Sequence, residues 1–118
     1  MLFYVASPYS KYERGLVAAF EDVAAACGEL IKRGIAVYSP IAHTHPIALY
    51  AKMDAYDHKI WMPLDHHMMK AADGCIVMMM PGWEDSYGVK IEIEAFQQAK
   101  KPIRWFTWPA IHEISRHE

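Results

Sequence analysis

The chain has 118 residues, long enough for one domain with one core, and its formal charge of −2, with no block of like charges, removes the electrostatic case for long nucleic acid or an anionic membrane surface. No apolar run reaches the roughly 18–20 residues of a spanning helix, and the start MLFYVASPYS lacks the basic region and cleavage pattern of a signal peptide. The expectation is a single cytoplasmic domain over residues 1–118 whose partner is a small molecule, with Cys27 and Cys75 as buried reduced thiols because they show neither framework nor metal spacing.

In chain order, residues 2–6 are a short apolar run closed by Ser7-Pro8, the pattern of a buried strand ending in a turn. From 12 to 33, Leu16, Ala19, Phe20, Val23, Ala26 and Leu30 recur at threes and fours, which predicts a long helix with Gly34 at its cap. Residues 35–39 predict a second strand stopped by Pro40, and IAHTHPIALYAKMD reads as loop or short helix. Tyr56, Ile60, Trp61, Leu64, Met68 and Met69 give 56–72 helical spacing, and 75–80 is the continuous apolar run of an interior parallel strand. A helix over 88–100 would bury Val89, Ile91, Ala95, Phe96 and Ala99, and 102–107 form a last strand. The alternation predicts an α/β chain, a Rossmann- or flavodoxin-like three-layer fold with a parallel sheet of about four or five strands and helices on both faces. Ligands in such sheets bind beyond the carboxyl ends of the strands, the edge that carries 7–10, 40–45 and 81–86.

The stretch PGWEDSYGVKIEIEA concentrates chemistry at that edge. Ser86 is placed to cap the helix that follows, and Gly88 lets backbone N–H groups approach an oxyanion closely. Glu92 lies about one and a half helical turns in, its side chain leaning back toward the ligand edge, whereas Glu94 is rotated about 200° from it. Position alone does not separate a reagent from a solvated helix charge.

The run SYGVKIEIEAFQQAKKPI resembles the signature of the nucleoside 2-deoxyribosyltransferase-like superfamily, which includes deoxyribosyltransferases and 2'-deoxynucleoside 5'-monophosphate N-glycosidases. The resemblance puts Glu92 at the position of the nucleophile. DHHMMKAADGCIVMMM is similar to the stretch in which one Asp precedes another that opens a strand, matching Asp65 and Asp73, and YVASPYS is similar to the first strand and loop, whose Tyr, here Tyr4, faces the active site. With YSPIAHTHPI and PGWEDS, these motifs resemble a branch of small phage and bacterial proteins of the superfamily, nearly end to end. The likeness implies cleavage or exchange of an N-glycosidic bond without metal or cofactor. Glu92 would attack and Asp65, kept protonated by burial or a neighbouring carboxylate, would protonate the leaving base. Asp73, far from the ligand edge, is expected to hold a helix-to-strand junction. Ser7, Pro8 and Tyr9, His43 and His45, and Gly82, Trp83, Ser86, Gly88 and Val89 are the expected substrate-binding positions on three loops.

Two departures from the family pattern bear on the substrate. Six residues before the Glu the transferases carry an Asp that grips sugar hydroxyls, and the monophosphate hydrolases carry a phosphate-binding Ser. Ser86 favours a nucleotide, against which Glu84 and Asp85 bring negative charge and only Lys11 and Arg14 compensate. Glu94 stands where a Gly is common, which would loosen packing of that helix. A metal site at His43, His45, His66 and His67 is not expected, since i, i+2 ligands beside a proline are not a zinc spacing. Tyr9 and Trp83 each either stack on a base or cover the core edge. Met68, Met69 and Met78 to Met80 read as core or subunit contact, and Trp61 adds to a homodimeric or larger assembly. A nucleotide sensor without turnover and a homo-oligomeric scaffold are the rival readings.

Overall fold

The structure is a computed structural model that describes residues 1–10 and 12–108. Strands β1 (Leu2–Ala6), β2 (Ala36–Tyr38), β3 (Gly74–Met79) and β4 (Ile103–Thr107) pair in parallel in the order β2-β1-β3-β4. Side-chain alternation along the two central strands divides the core in two. Phe3, Val5, Ile76, Met78 and Met80 pack with Ala19, Val23, Ala26 and Leu30 of helix α1 (Leu16–Lys32). Tyr4, Ala6, Cys75 and Val77 face the other way, against Met69 of helix α3 (His58–Ala71) and Val89 and Phe96 of helix α4 (Tyr87–Gln98). Helices therefore cover both faces of a four-stranded parallel sheet, the expected three-layer α/β architecture. None of the described helices is long and apolar enough to cross a membrane.

Three boundaries differ from the sequence expectation, each for a local reason. Helix α1 begins at Leu16 and not at 12, because Gly15 sits at φ +94° and residues 12–15 form turns closed by Tyr12 and Gly15 N–H bonds to Tyr9 and Tyr12 carbonyls. Its end is as expected: Gly34 at φ +83° turns the chain, with Gly34 N–H donating to Ile31 and Ile35 N–H to Leu30. Of the two alternatives for 41–54, loop or short helix, the structure takes the helix, α2 (Pro40–Ala51), which also includes Pro40. Pro40 does end β2, but as a first helical residue, where its missing N–H costs nothing, and Ser39 Oγ caps the turn by accepting from Ala42 N–H at 3.1 Å. Helix α3 starts two residues later than expected, at an Asp57 cap, so Tyr56 lies before it and both Tyr56 and Ile60 are exposed.

The amino end of the sheet is fastened by polar bonds. Leu2 N–H donates to Asp73 Oδ2 at 2.7 Å and Asp73 N–H donates back to the Leu2 carbonyl at 2.8 Å, so Asp73 holds the α3-to-β3 junction as expected. Lys101 Nζ donates to the carbonyls of Met69, Lys70 and Ala72 at 3.2, 2.8 and 2.6 Å, supplying donors and positive charge to the C-terminal end of α3. Gly74 fits beneath this junction only because it lacks a Cβ, which would lie 2.8 Å from the Phe3 ring and 2.9 Å from the Pro102 carbonyl. Gly74→Ala is accordingly expected to destabilise the protein by about 1–3 kcal/mol in urea unfolding. Gly28→Ala, in the middle of α1 with open space at the Cβ, should instead stabilise it by roughly 0.5–1 kcal/mol.

Candidate functional site

With the order β2-β1-β3-β4, the chain reverses direction across the sheet between β1 and β3, and the crevice beyond their carboxyl ends is the ligand position of such sheets. Tyr4, central in β1 and fully buried, projects onto the α4 face, its ring against Tyr38 at 6.1 Å and Phe96 at 5.7 Å between centroids. Its hydroxyl donates to Glu92 Oε2. Glu92 and Asp65, from α4 and α3, both line a cavity of about 120 Å³ at this edge. Ser7, Ser10, Thr44 and Ser86 give the same cavity hydroxyls, and Tyr9, Tyr56 and Trp61 give it aromatic surface.

Burial dominates the electrostatics. It pushes Glu92 up to about 8, against the Tyr4 hydrogen bond, which lowers it, and with the charge of Asp65, which raises it. Asp65 is pushed by burial up to about 6, with His66 and His58 pulling the other way. Burial first, then the charges of Glu92 and Asp65, hold Tyr4 far above its ordinary range, so it is a donor at any working pH. Near neutrality the two carboxyls therefore share one proton as a coupled pair. Burial places that proton on Glu92 in the ligand-free protein, and the bond from a phenol that cannot ionise opposes burial there without reversing it.

Among the described residues, four buried side-chain polar atoms have no partner: Ser7 Oγ, Tyr38 Oη, Thr44 Oγ1 and Asp65 Oδ1. Ser7, Thr44 and Asp65 line the cavity, and the Tyr38 ring rests against Tyr4. Each orphan costs roughly 1–3 kcal/mol unless a ligand or water satisfies it. Their concentration at one place marks a site built for polar contact.

Of the expected residues, Glu92, Asp65, Ser7, Tyr9, Ser86 and Gly88 line the cavity and Tyr4 bonds to one of them. Ser86 caps α4 as expected, its Oγ accepting from Val89 N–H at 3.2 Å. Pro8, His43, His45, Gly82, Trp83 and Val89 do not line it. Pro8 is fully buried and Val89 packs in the core beneath α4. Gly82, at φ +89°, opens the 3₁₀ turn Trp83–Asp85, and Trp83 covers the core edge, packing edge-on to Trp105 at 5.8 Å. His43 is exposed, and His45 stacks on Phe20 at 4.6 Å while its Nδ1 pairs with the Tyr9 hydroxyl at 2.6 Å, so it acts on the site through Tyr9. The helical register of α2 explains the exchange: it turns Thr44 inward between two histidines that an extended loop would have presented together. Trp61 is likewise an internal group, buried with its Nε1 donating to the Asp54 carbonyl, and is no evidence for a subunit contact. Arg14 pairs with Asp22 at 3.2 Å, Lys11 lies outside the described residues, and Glu84 and Asp85 are exposed off the cavity wall. Glu94 is exposed, as expected.

A family model described as a domain of unknown function (DUF1937) matches residues 2–108. No curated protein matches the chain.

Both carboxyls titrate higher in the folded than in the unfolded chain, so the folded state binds more protons between their ordinary values and about 8, and stability falls as pH rises through that window. Glu92→Gln should therefore raise the melting temperature at pH 8 and flatten its pH dependence between about 4.5 and 8. Tyr4→Phe removes the bond that favours the Glu92 carboxylate, and the Glu92 carboxyl resonance should then titrate at higher pH than in the unmutated protein.

Proposed function

We propose that this chain, which belongs to the family described as a domain of unknown function (DUF1937), is an N-glycosidase acting on a (deoxy)nucleoside 5'-monophosphate through Glu92. The observation that carries the proposal is the buried Tyr4 hydroxyl donating to Glu92 on a cavity that Asp65 also lines. Two carboxyls holding one proton between them are what retaining glycosyl transfer requires. The reactive form is the one in which the shared proton has passed from Glu92 to Asp65; in the first step the Glu92 carboxylate then bonds to C1' as the C1'–N bond breaks, and Asp65 gives that proton to the departing base nitrogen. In the second, Asp65 takes a proton from water as the water oxygen replaces Glu92 at C1', which restores both groups. A second base in place of water would make the reaction a transfer. Tyr4 orients Glu92 in both steps and steadies its charge when the glycosyl group leaves.

The 5'-phosphate is assigned to the start of α4, where Ser86 is buried, the amides of Tyr87 and Gly88 precede the helical ladder, and Gly88 lines the cavity. Glu84 and Asp85, exposed and off the wall, leave this end free of fixed negative charge. One observation favours a second reading, the nucleoside as substrate: among the described residues no Lys or Arg lines the cavity. We extend the proposal to a homo-oligomer in a cytoplasmic setting, supported by exposed Leu49 and Tyr50 on α2 and by two free, buried cysteines.

Chromatographic screening of a nucleotide panel for released base tests the reaction. Glu92→Ala should abolish release and Glu94→Ala leave it within about twofold, because only the former removes the nucleophile; equal residual activities would remove the assignment. Asp65→Asn should slow poor leaving bases far more than activated ones, since an easily departing group needs little protonation. A monophosphate should react in preference to its nucleoside, and Ser86→Ala should narrow that preference roughly 10- to 150-fold by losing a charge-assisted bond. A nucleoside equal to its monophosphate would give the second reading the stronger claim.

A further inference from the structure

The hydroxyls of Thr44 and Ser7 are the two most deeply placed polar groups of the cavity that neither the nucleophile, the acid nor the phosphate end explains. Thr44 is 7 % exposed and Ser7 5 %, both line the cavity, and neither Oγ has a partner. A threonine inside a helix usually returns its hydroxyl to the carbonyl four residues back. Thr44, fifth in α2, makes no such bond, so its hydroxyl is left buried and unsatisfied in the cavity wall at a cost to the ligand-free protein.

The surroundings define what those hydroxyls await. The start of α2 is a poor anion cradle: Pro40 has no N–H, Ala42 N–H is taken by Ser39 Oγ, and His43 N–H is taken by the Ser39 carbonyl, which leaves at most the single amide of Ile41. Among the described residues no Lys or Arg lines the cavity, and two carboxyls do. The group that best suits Thr44 and Ser7 is then uncharged and able both to donate and to accept, which an alcohol is and a phosphate dianion is not. The flat apolar surfaces of Tyr56 and Trp61, from the α3 side of the same cavity, suit a base. Thr44 comes from the helix after β2, on the opposite side of β1 from β3, which leads to Ser86, and Ser7 comes from the loop after β1 itself.

We propose that Thr44 and Ser7 form a subsite for a hydroxyl of the substrate's sugar, a specificity-determining pair separate from the anion end at α4. This rests on the glycosidic reading for the kind of substrate, but its test does not depend on turnover. Thr44→Val keeps the side-chain shape and removes the hydroxyl. In the ligand-free protein it should leave the melting temperature unchanged or raised, because an unsatisfied buried hydroxyl is lost; a clear fall would show that Thr44 is a structural bond-former and overturn the proposal. Ligand-observed NMR with 2-deoxy-D-ribose, adenine and inorganic phosphate as separate probes supplies the second measurement. Thr44→Val and Ser7→Ala should each weaken 2-deoxy-D-ribose about threefold to tenfold, Thr44→Ser should restore it, and adenine and phosphate should be unaffected. Loss of adenine or phosphate binding in place of the sugar, or no binding of the sugar to the unmutated protein, would overturn it. Sugar binding through Thr44 in a protein that releases base from no nucleotide would support the subsite while removing the proposed reaction, so the two failures are distinguishable.

Discussion

The hydrogen bond from Tyr4 to Glu92 is the constraint around which the rest of the structure is arranged. It joins the middle of a central strand to the second turn of α4, and it can form only if the strand face and the helix face are in register. The Tyr4 ring is fully buried between Tyr38 and Phe96, so the hydroxyl has one direction available to it. A phenol enclosed in this way stays protonated and must donate, and the carboxylate is the strongest acceptor within reach. Core packing and placement of the reactive group are therefore one event.

The two ends of the sheet divide the work. At the amino end, Asp73, Gly74 and Lys101 tie β1, β3 and α3 together through backbone groups, with contacts that leave no room for another atom. At the carboxyl end the chain leaves polar atoms without partners and opens a cavity between them. The stability cost of the open end is offset by the closed one, in the pattern by which enzymes tolerate strained or unsatisfied groups at their sites. Lys101 connects the two: its ammonium holds the C-terminal carbonyls of α3, the helix of Asp65, and lies 5.8 Å from the ring centre of Phe96 on α4, the helix of Glu92.

Much of this was legible in the chain. Period-two alternation could not be read from 75–80, where both faces are buried and every residue is apolar, yet that continuity itself marked an interior parallel strand. Ser86 as a helix cap and Glu92 on the ligand side followed from spacing. That 41–54 reads equally as loop or short helix has a physical cause: two prolines, Pro40 and Pro46, argue for a loop, but the first is a permitted helix start and the second is carried within the helix. That one ambiguity moved attention to His43 and His45 and away from Thr44, since loop and helix present opposite residues. Tyr56 was read as a core position of a helix and proved to be an exposed residue on the cavity rim, because the Asp57 cap starts the helix after it. Local turn chemistry, more than hydrophobic pattern, was where sequence reasoning ran short.

The stapled amino end has an evolutionary side. The residues that fasten it, Asp73, Gly74 and Lys101, lie at the other end of the sheet from the loops and helix starts that carry Ser7, Thr44 and Ser86, and energetic effects at well-separated positions are nearly additive. Drift in the loops can then retune what the crevice accepts while the chain still folds, and the same scaffold can be inherited by descendants with different diets.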